Sequence, residues 1–243
     1  MSALTKFSFL FLVISGLFII SSCEKEKEED SKDTVTDIDG NVYKTVTIGS
    51  QVWMAENLKV TSFNDDQAIS NVTGNSEWGN LTTPAYCLYN NDPNKKDSIG
   101  VMYNWYAVNS GKLCPTGWHV PKDSDFIDLE LYLGLPQDDI HKYGWHGTNQ
   151  GAQLKNTADW IGGQNNATNS SKFSAFPAGY RQTRIGVFSG LGTITIFWTS
   201  SDDSHNGKPS EVWYRRLDAT ESRIFKGTTT KSAGNYVRCL KKI

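Results

Sequence analysis

A helical repeat of apolar residues stands near the middle of the chain, over 124–133. Three apolar side chains fall at the i, i+3 and i+7 positions of one helix face: Phe126, Leu129 and Leu133. Asp123 or Ser124 can accept hydrogen bonds from the first turn, and Gly134 supplies a left-handed stop. The spacing therefore predicts a capped helix that ends at Gly134.

Elsewhere the apolar residues follow short runs bounded by turn residues, a pattern typical of β-strands. Between 36 and 58, Asp39-Gly40 and Gly49-Ser50 separate strand candidates. The runs 211–217 and 222–225 predict an antiparallel pair. The last strand, 235–243, alternates between two faces, with Tyr236, Arg238 and Leu240 on one and Val237 and Cys239 on the other. We expect an α+β protein with one or two helices.

The first 22 residues are typical of a signal peptide. Lys6 precedes an apolar run from Phe7 to Ile20, which is short for the roughly 20 apolar residues that a membrane-spanning helix needs. The following Ser21-Ser22-Cys23 completes a sequence that resembles the bacterial lipobox. That resemblance implies cleavage before Cys23 and lipidation of Cys23, and several acyl chains anchor a protein stably.

A charged tether is predicted over 23–35, because EKEKEEDSKD contains no apolar residue to bury. An acidic stretch beside the lipidated cysteine resembles the surface-export signal of Bacteroidetes lipoproteins. It implies an outer-membrane lipoprotein exposed at the cell surface, with a periplasm-facing spacer as the alternative.

Composition excludes some functions and leaves others open. The formal net charge of −2 makes no electrostatic case for nucleic acid. The four cysteines lie more than ten residues apart, which excludes a CxxC zinc or redox site. His141 and His146 are interpreted as loop histidines, and Asp37 to Asn41 as a turn because the calcium-loop glutamate is missing. No catalytic residue, metal ligand or cofactor site is predicted.

Seven segments occur in one order: DIDGNVYKTVTIGSQVWMAENLK, YCLYNND, MYNWYAV, LCPTGWHVP, FSAFPAGYR, FWTSS and YVRCLKK. Together they resemble the Fibrobacter succinogenes major paralogous domain of Bacteroidetes and Fibrobacteres lipoproteins, over 36–243. Two positions depart from its pattern, with Phe126 where tryptophan is usual and Phe176 where leucine is commoner.

This resemblance implies a C-type lectin-like fold, also shared with formylglycine-generating enzymes. Residues 36–112 would form a β-rich N-terminal part and residues 113–243 the lectin-like part, in one domain. The arrangement implies a Cys114–Cys239 disulfide. The competing pairing joins Cys87 to one of these two cysteines.

The enzymes of that fold need closely placed reactive cysteines, which a Cys114–Cys239 bond would remove, so catalysis is not expected. The loops over 162–215 instead suggest a binding module for a glycan or a protein, or a purely architectural display module. The candidate ligand contacts are Asn165, Asn166, Asn169, Arg181, Asp202, Asp203, His205 and Trp213. The calcium-dependent sugar motifs of animal lectins are absent. No ligand contact is expected between Leu113 and Gly134.

Overall fold

The computed structural model describes residues 34–163, 166–203 and 207–242. The predicted signal peptide, Cys23, and the candidate contacts Asn165 and His205 lie outside these ranges. No helix within them is long and apolar enough to cross a membrane.

Short strands dominate the described part of the chain. The strands are β1 (Thr34–Thr36), β2 (Val42–Ile48), β3 (Gln51–Met54), β4 (Ser70–Asn71), β5 (Ala85–Cys87), β6 (Met102–Tyr103), β7 (Trp118–His119), β8 (Gly144–His146), β9 (Ala178–Arg181), β10 (Phe188–Leu191), β11 (Ile194–Asp203), β12 (Lys208–Asp218), β13 (Ile224–Thr230) and β14 (Leu240–Lys241). The helices are α1 (Asn75–Gly79), α2 (Lys95–Ile99), α3 (Trp105–Val108), α4 (Asp123–Tyr132) and α5 (Gln150–Leu154). The expected α+β class is confirmed, but the described ranges hold five α-helices where one or two were expected. Four of the five are single short turns.

The strands form three sheets, with orders β1-β2-β3-β14-β7, β10-β9-β11-β12-β13-β8 and β4-β5-β6. The predicted pair 211–217 and 222–225 is present as β12 and β13, which run antiparallel. About half of the 162–215 region, where the resemblance implied long loops, is taken up by β9 to β12. The β-branched and aromatic residues of these strands pair in a sheet, as the strand pattern of 211–217 predicts, so the long loops implied by the resemblance are limited to the segments between strands.

The first sheet joins the two ends of the domain. Leu240 of β14 pairs with Trp53 of β3 on one side and with His119 of β7 on the other. The expected disulfide between Cys114 and Cys239 is present beside this junction, with a Cα–Cα distance of 5.9 Å. Cys87 is free and buried, so the competing pairings do not occur.

Two apolar clusters lie on either side of the terminal segment. Tyr236 and Leu240 pack in a cluster with Trp53, whereas Val237 and Cys239 pack in a cluster with Trp198. The alternation predicted for the last strand is therefore confirmed, although only its end is paired as a regular strand. FWTSS is a core segment, as expected, because the Trp198 indole is fully buried and donates to the Tyr103 carbonyl at 2.8 Å.

Helix α4 forms where predicted and buries Phe126 and Leu129. Gly134 adopts φ +92°, which confirms the left-handed stop. The N-cap is Lys122, not Asp123 or Ser124, because Lys122 is the last residue with extended backbone before α4. The Asp125 carboxylate accepts a hydrogen bond from the Lys122 backbone N–H at 2.7 Å. Asp123 is therefore the first residue of α4, and its carboxylate faces β12 and β13.

Candidate functional site

Alternation along β12 divides its side chains between two faces of the six-stranded sheet. Cross-strand pairing sets Trp213 opposite Thr228 and Arg215 opposite Lys226 of β13. Because paired residues lie on the same face of a sheet, these side chains share one side. Tyr214 and its neighbour Arg216 belong to the other.

A cleft of about 470 Å³ opens beside Trp213, and we call it the Trp213 cleft. Its walls come from α4, β11, β12, β13 and the segment before β8. The residues that line it are Asp123, His141, Tyr143, Asp202, Asp203, Trp213 and Lys226. The cleft thus combines a tyrosine and a tryptophan ring, one imidazole, three carboxylates and one ammonium group.

The Trp213 ring is held between two neighbours. The Tyr143 ring centroid lies 4.9 Å from that of Trp213 at an interplanar angle of 52°. Lys226 Nζ lies 4.8 Å from the Trp213 ring centroid, within range of a cation–π interaction. The Tyr143 hydroxyl is fixed in turn by Thr228 Oγ1 at 2.7 Å. Because Lys226 and Tyr143 already contact the Trp213 ring, only part of the indole surface is open to a ligand.

Asp123 connects the cleft to the interior. Lys226 Nζ donates to one carboxylate oxygen at 2.9 Å, and Arg215 donates to the other at 2.7 Å. Burial raises the pKa of the Asp123 carboxyl, but Arg215 and Lys226 outweigh it and hold this pKa below its usual value. The α4 N-terminus favours the same negative charge. Asp123 therefore lines the cleft as a carboxylate, and it lies within the 113–134 stretch where no ligand contact was expected.

Behind Asp123 lies a buried chain of charged groups. Arg215 Nε donates to Glu130 at 2.6 Å, and the other Glu130 oxygen lies 3.0 Å from His146 Nε2. Burial raises the pKa of Glu130, yet Arg215 and His146 more than compensate and lower it. His146 is thus a buried residue of β8, and its interpretation as a loop histidine was wrong because its ring has a carboxylate partner inside the fold.

Sequence reasoning missed Glu130, although one signal was present. Glu130 stands four residues after Phe126, on the apolar face of the predicted helix. A carboxylate on a buried helix face needs a cationic partner, and Arg215 is that partner. Tyr143 and Lys226 carried no comparable signal, because only the pairing of β13 with β12 and with β8 brings them to the cleft.

Three predicted contacts meet in the Trp213 cleft, namely Asp202, Asp203 and Trp213. Asn166 and Asn169 are not among its lining residues. The Asn169 amide instead exchanges hydrogen bonds with Ser174, accepting from its backbone N–H at 3.0 Å and donating to its Oγ at 2.9 Å. It shapes the loop before β9.

Arg181, another candidate ligand contact, is built into the fold. Its side chain is fully buried, and its guanidinium donates to the carbonyls of Gly186, Val72 and Thr73 at 2.7–2.8 Å. It also lies 4.6 Å from the Trp78 ring centroid. Arg181 was predicted as a ligand contact. In the structure its guanidinium donates to backbone carbonyls, and these hydrogen bonds connect β9 to the loop before α1.

Within the described ranges, no group of three or more His, Cys, Asp or Glu side chains is placed to hold a metal ion. The lining of the Trp213 cleft offers polar and aromatic contacts. Its carboxylates and ammonium group can pair with a charged or hydrogen-bonding ligand, and its two rings can cover apolar surface.

A family model described as the Fibrobacter succinogenes major domain matches residues 46–241. No curated protein matches the chain, and no solved structure does. The matched range holds every residue of the Trp213 cleft and both cysteines of the disulfide. The chain belongs to the Fibrobacter succinogenes major domain family.

Proposed function

We propose that this protein is an exported, lipid-anchored binding or adhesion module of the outer membrane, facing the outside of the cell and acting without catalysis. The lipobox-like sequence before Cys23 and the apolar run that precedes it support export and lipidation. The acidic residues that follow Cys23 support transfer to the cell surface.

The observation that carries the binding function is the convergence at the Trp213 cleft. Asp202, Asp203 and Trp213 stand on two strands and nevertheless line one cleft with Tyr143 and Asp123. Its volume of about 470 Å³ lies within the usual range for ligand sites, about 300–1,000 Å³. A rigid sheet and a buried ion network support its walls, so the site is preorganised for binding.

The absence of catalysis is argued from the thiols. Cys114 and Cys239 are joined to each other, and Cys87 is buried in the core. Burial raises the pKa of the Cys87 thiol to about 12, although Arg181 acts in the opposite direction. A formylglycine-type oxidation needs accessible thiolates. Neither the disulfide-bonded Cys114 and Cys239 nor the buried Cys87 favours an accessible thiolate. Turnover of a cysteine-containing sulfatase peptide by the purified protein would contradict this part of the proposal.

The lectin-like architecture of 113–243 is part of the same proposal. A disulfide between the start of this region and its last strand supports it, as does the return of β14 beside β7. An experimental structure that aligns this region with a C-type lectin-like domain would test it directly.

Binding is tested with the mature protein on glycan arrays, with and without EDTA, and with surface proteins of neighbouring and host cells. We expect a ligand whose binding resists EDTA and is lost in Trp213→Ala. Tyr132→Ala is the matched control, because Tyr132 is 65% exposed on α4 and does not line the cleft. Retention of all binding by a folded Trp213→Ala variant would exclude the Trp213 cleft as the contact surface.

Anchoring and exposure are tested in cells. Metabolic labelling with an alkyne fatty acid should mark the wild-type protein and leave Cys23→Ser unmarked. Protease added to intact cells should digest the wild-type protein if it faces outward. Protection from protease, with labelling intact, would indicate the periplasm-facing alternative.

A further inference from the structure

A second cleft, of about 330 Å³, opens on the face of β12 that carries Tyr214 and Arg216. We call it the Asn235 cleft. Its lining includes Tyr180, Gln182, Ile196, Tyr214, Arg216 and Asn235. None of them lines the Trp213 cleft, so the two surfaces are separate.

The Asn235 side chain is unusual because both of its polar atoms lack a partner. Asn235 is 1% exposed, and neither Nδ2 nor Oδ1 has a hydrogen-bond partner among the residues that the structure describes. Its backbone is fully used, since N–H and C=O both pair with Tyr103 at 3.1 and 2.9 Å. Buried amides are nearly always paired, so an amide with both atoms unpaired needs an explanation. A bound ligand with an adjacent donor and acceptor supplies one.

Two cations, Arg181 and Arg216, line the cleft, and both have partners within the chain. Arg216 forms a two-pronged ion pair with Asp218, with both N–O distances 2.6 Å. The Arg181 guanidinium donates to backbone carbonyls. No carboxylate lines the cleft. The cleft therefore holds no carboxylate to bind an ammonium ligand, and its two guanidinium groups already have acceptors within the chain, which disfavours phosphate and carboxylate ligands.

Two tyrosine rings give the cleft apolar walls. Tyr214 stacks on Phe225 with ring centroids 6.1 Å apart and an interplanar angle of 12°. Its cross-strand partner is Gly227, where an added Cβ would lie 2.9 Å from the Tyr214 hydroxyl oxygen. The missing side chain of Gly227 thus lets the Tyr214 ring lie across β13. Tyr180 on β9 is half-buried and adds a second ring.

We propose that the Asn235 cleft binds an uncharged saccharide unit, independently of the Trp213 cleft. Vicinal hydroxyl groups of a sugar supply the acceptor and the donor that the Asn235 amide lacks, and the C–H face of a sugar ring packs on tyrosine. A volume of about 330 Å³ suits a small ligand or the end of a chain. The proposal goes beyond the Trp213 cleft, because it assigns a ligand class to a different surface.

The test measures binding of neutral tetrasaccharides of glucose, xylose, mannose and N-acetylglucosamine by calorimetry. The full lipidated protein is used in a detergent without a sugar head group. We expect at least one tetrasaccharide to bind, with affinity reduced about tenfold in Asn235→Ala. Tyr214→Leu should weaken it as well, since it removes a ring and keeps apolar contact with Phe225. Trp213→Ala should bind the saccharide as wild type does, even if it loses the ligand of the Trp213 cleft.

Stability provides a second readout. Because the Asn235 amide has no internal partner, Asn235→Ala should unfold at the same temperature as wild type or higher. A marked loss of stability would show that the amide is used inside the fold, and would overturn the proposal. Binding of no tetrasaccharide, equal binding by wild type and Asn235→Ala, or binding of peptides instead of saccharides at this cleft would overturn it too.

Discussion

Arg215 of β12 donates from Nε to Glu130 of α4 over 2.6 Å, and both side chains are essentially excluded from solvent. This contact fixes the only long helix in the described part of the chain against the six-stranded sheet. It also holds the guanidinium from which Asp123 receives its second hydrogen bond. The wall of the Trp213 cleft therefore depends on a buried ion pair that does not itself line the cleft.

Removing one partner of this pair should be costly. Glu130→Gln leaves the buried Arg215 charge with Asp123 alone, and uncompensated buried charges typically cost about 3–5 kcal/mol. Denaturant unfolding should show a loss of this size. Replacing both partners, with Glu130→Leu and Arg215→Met together, should cost less than Glu130→Gln. The control is Arg223→Ala, whose exposed pair with Glu221 should contribute little.

Stability should fall in acid for the same reason. The pKa values of Glu130 and Asp123 are both lowered, because arginine, histidine and lysine partners outweigh the effect of burial. The unfolded chain then takes up these protons at higher pH than the folded protein does. The stability they confer is present above about pH 4.5 and is lost as pH falls through the folded-state values. Wild-type melting temperatures should drop below pH 4.5 more steeply than those of Glu130→Gln, whereas parallel curves would contradict the argument.

The sequence was informative where local chemistry decides the structure. The spacing of Phe126 and Leu129 located α4, and alternation placed Tyr236 and Val237 in different cores. The family resemblance located the Cys114–Cys239 bond. Such features can be predicted from a short window of residues or from a known order of motifs.

Long-range pairing decided the features that the sequence did not reveal. Arg181 and Arg215 look alike in the sequence, as charged residues on strands. Arg181 nevertheless donates to backbone carbonyls, whereas Arg215 donates to a carboxylate. Each guanidinium has a partner more than eighty residues away, Val72 for Arg181 and Glu130 for Arg215. The unpaired amide of Asn235 had no signal at all, since a missing partner is a property of the assembled fold.

Reduction of the disulfide should destabilise the domain without changing its sheet order. The bond spans 125 residues, for which the chain-entropy model gives about 4–5 kcal/mol. The variant with both Cys114→Ser and Cys239→Ser should therefore unfold at lower denaturant concentration than wild type. Far-ultraviolet circular dichroism should remain that of the folded protein, because β14 also pairs with β3 and β7. A melting temperature equal to that of wild type would show that the bond does not constrain the unfolded chain.

The remaining thiol should be inert in the folded protein. Cys87 is fully buried, and burial raises its pKa to about 12, so almost no thiolate exists near neutral pH. Maleimide labelling of the mature native protein, followed by mass spectrometry, should modify no cysteine. Denaturation without reductant should add one label, and denaturation with reductant three, because Cys23 carries the lipid in the proposed anchor. Cys87→Ser should remove the single label.

A label acquired rapidly by the native protein would place a reactive thiol at Cys87 or an unlipidated Cys23. The tryptic peptide that carries the label would then tell whether the non-catalytic proposal or the lipid anchor is wrong.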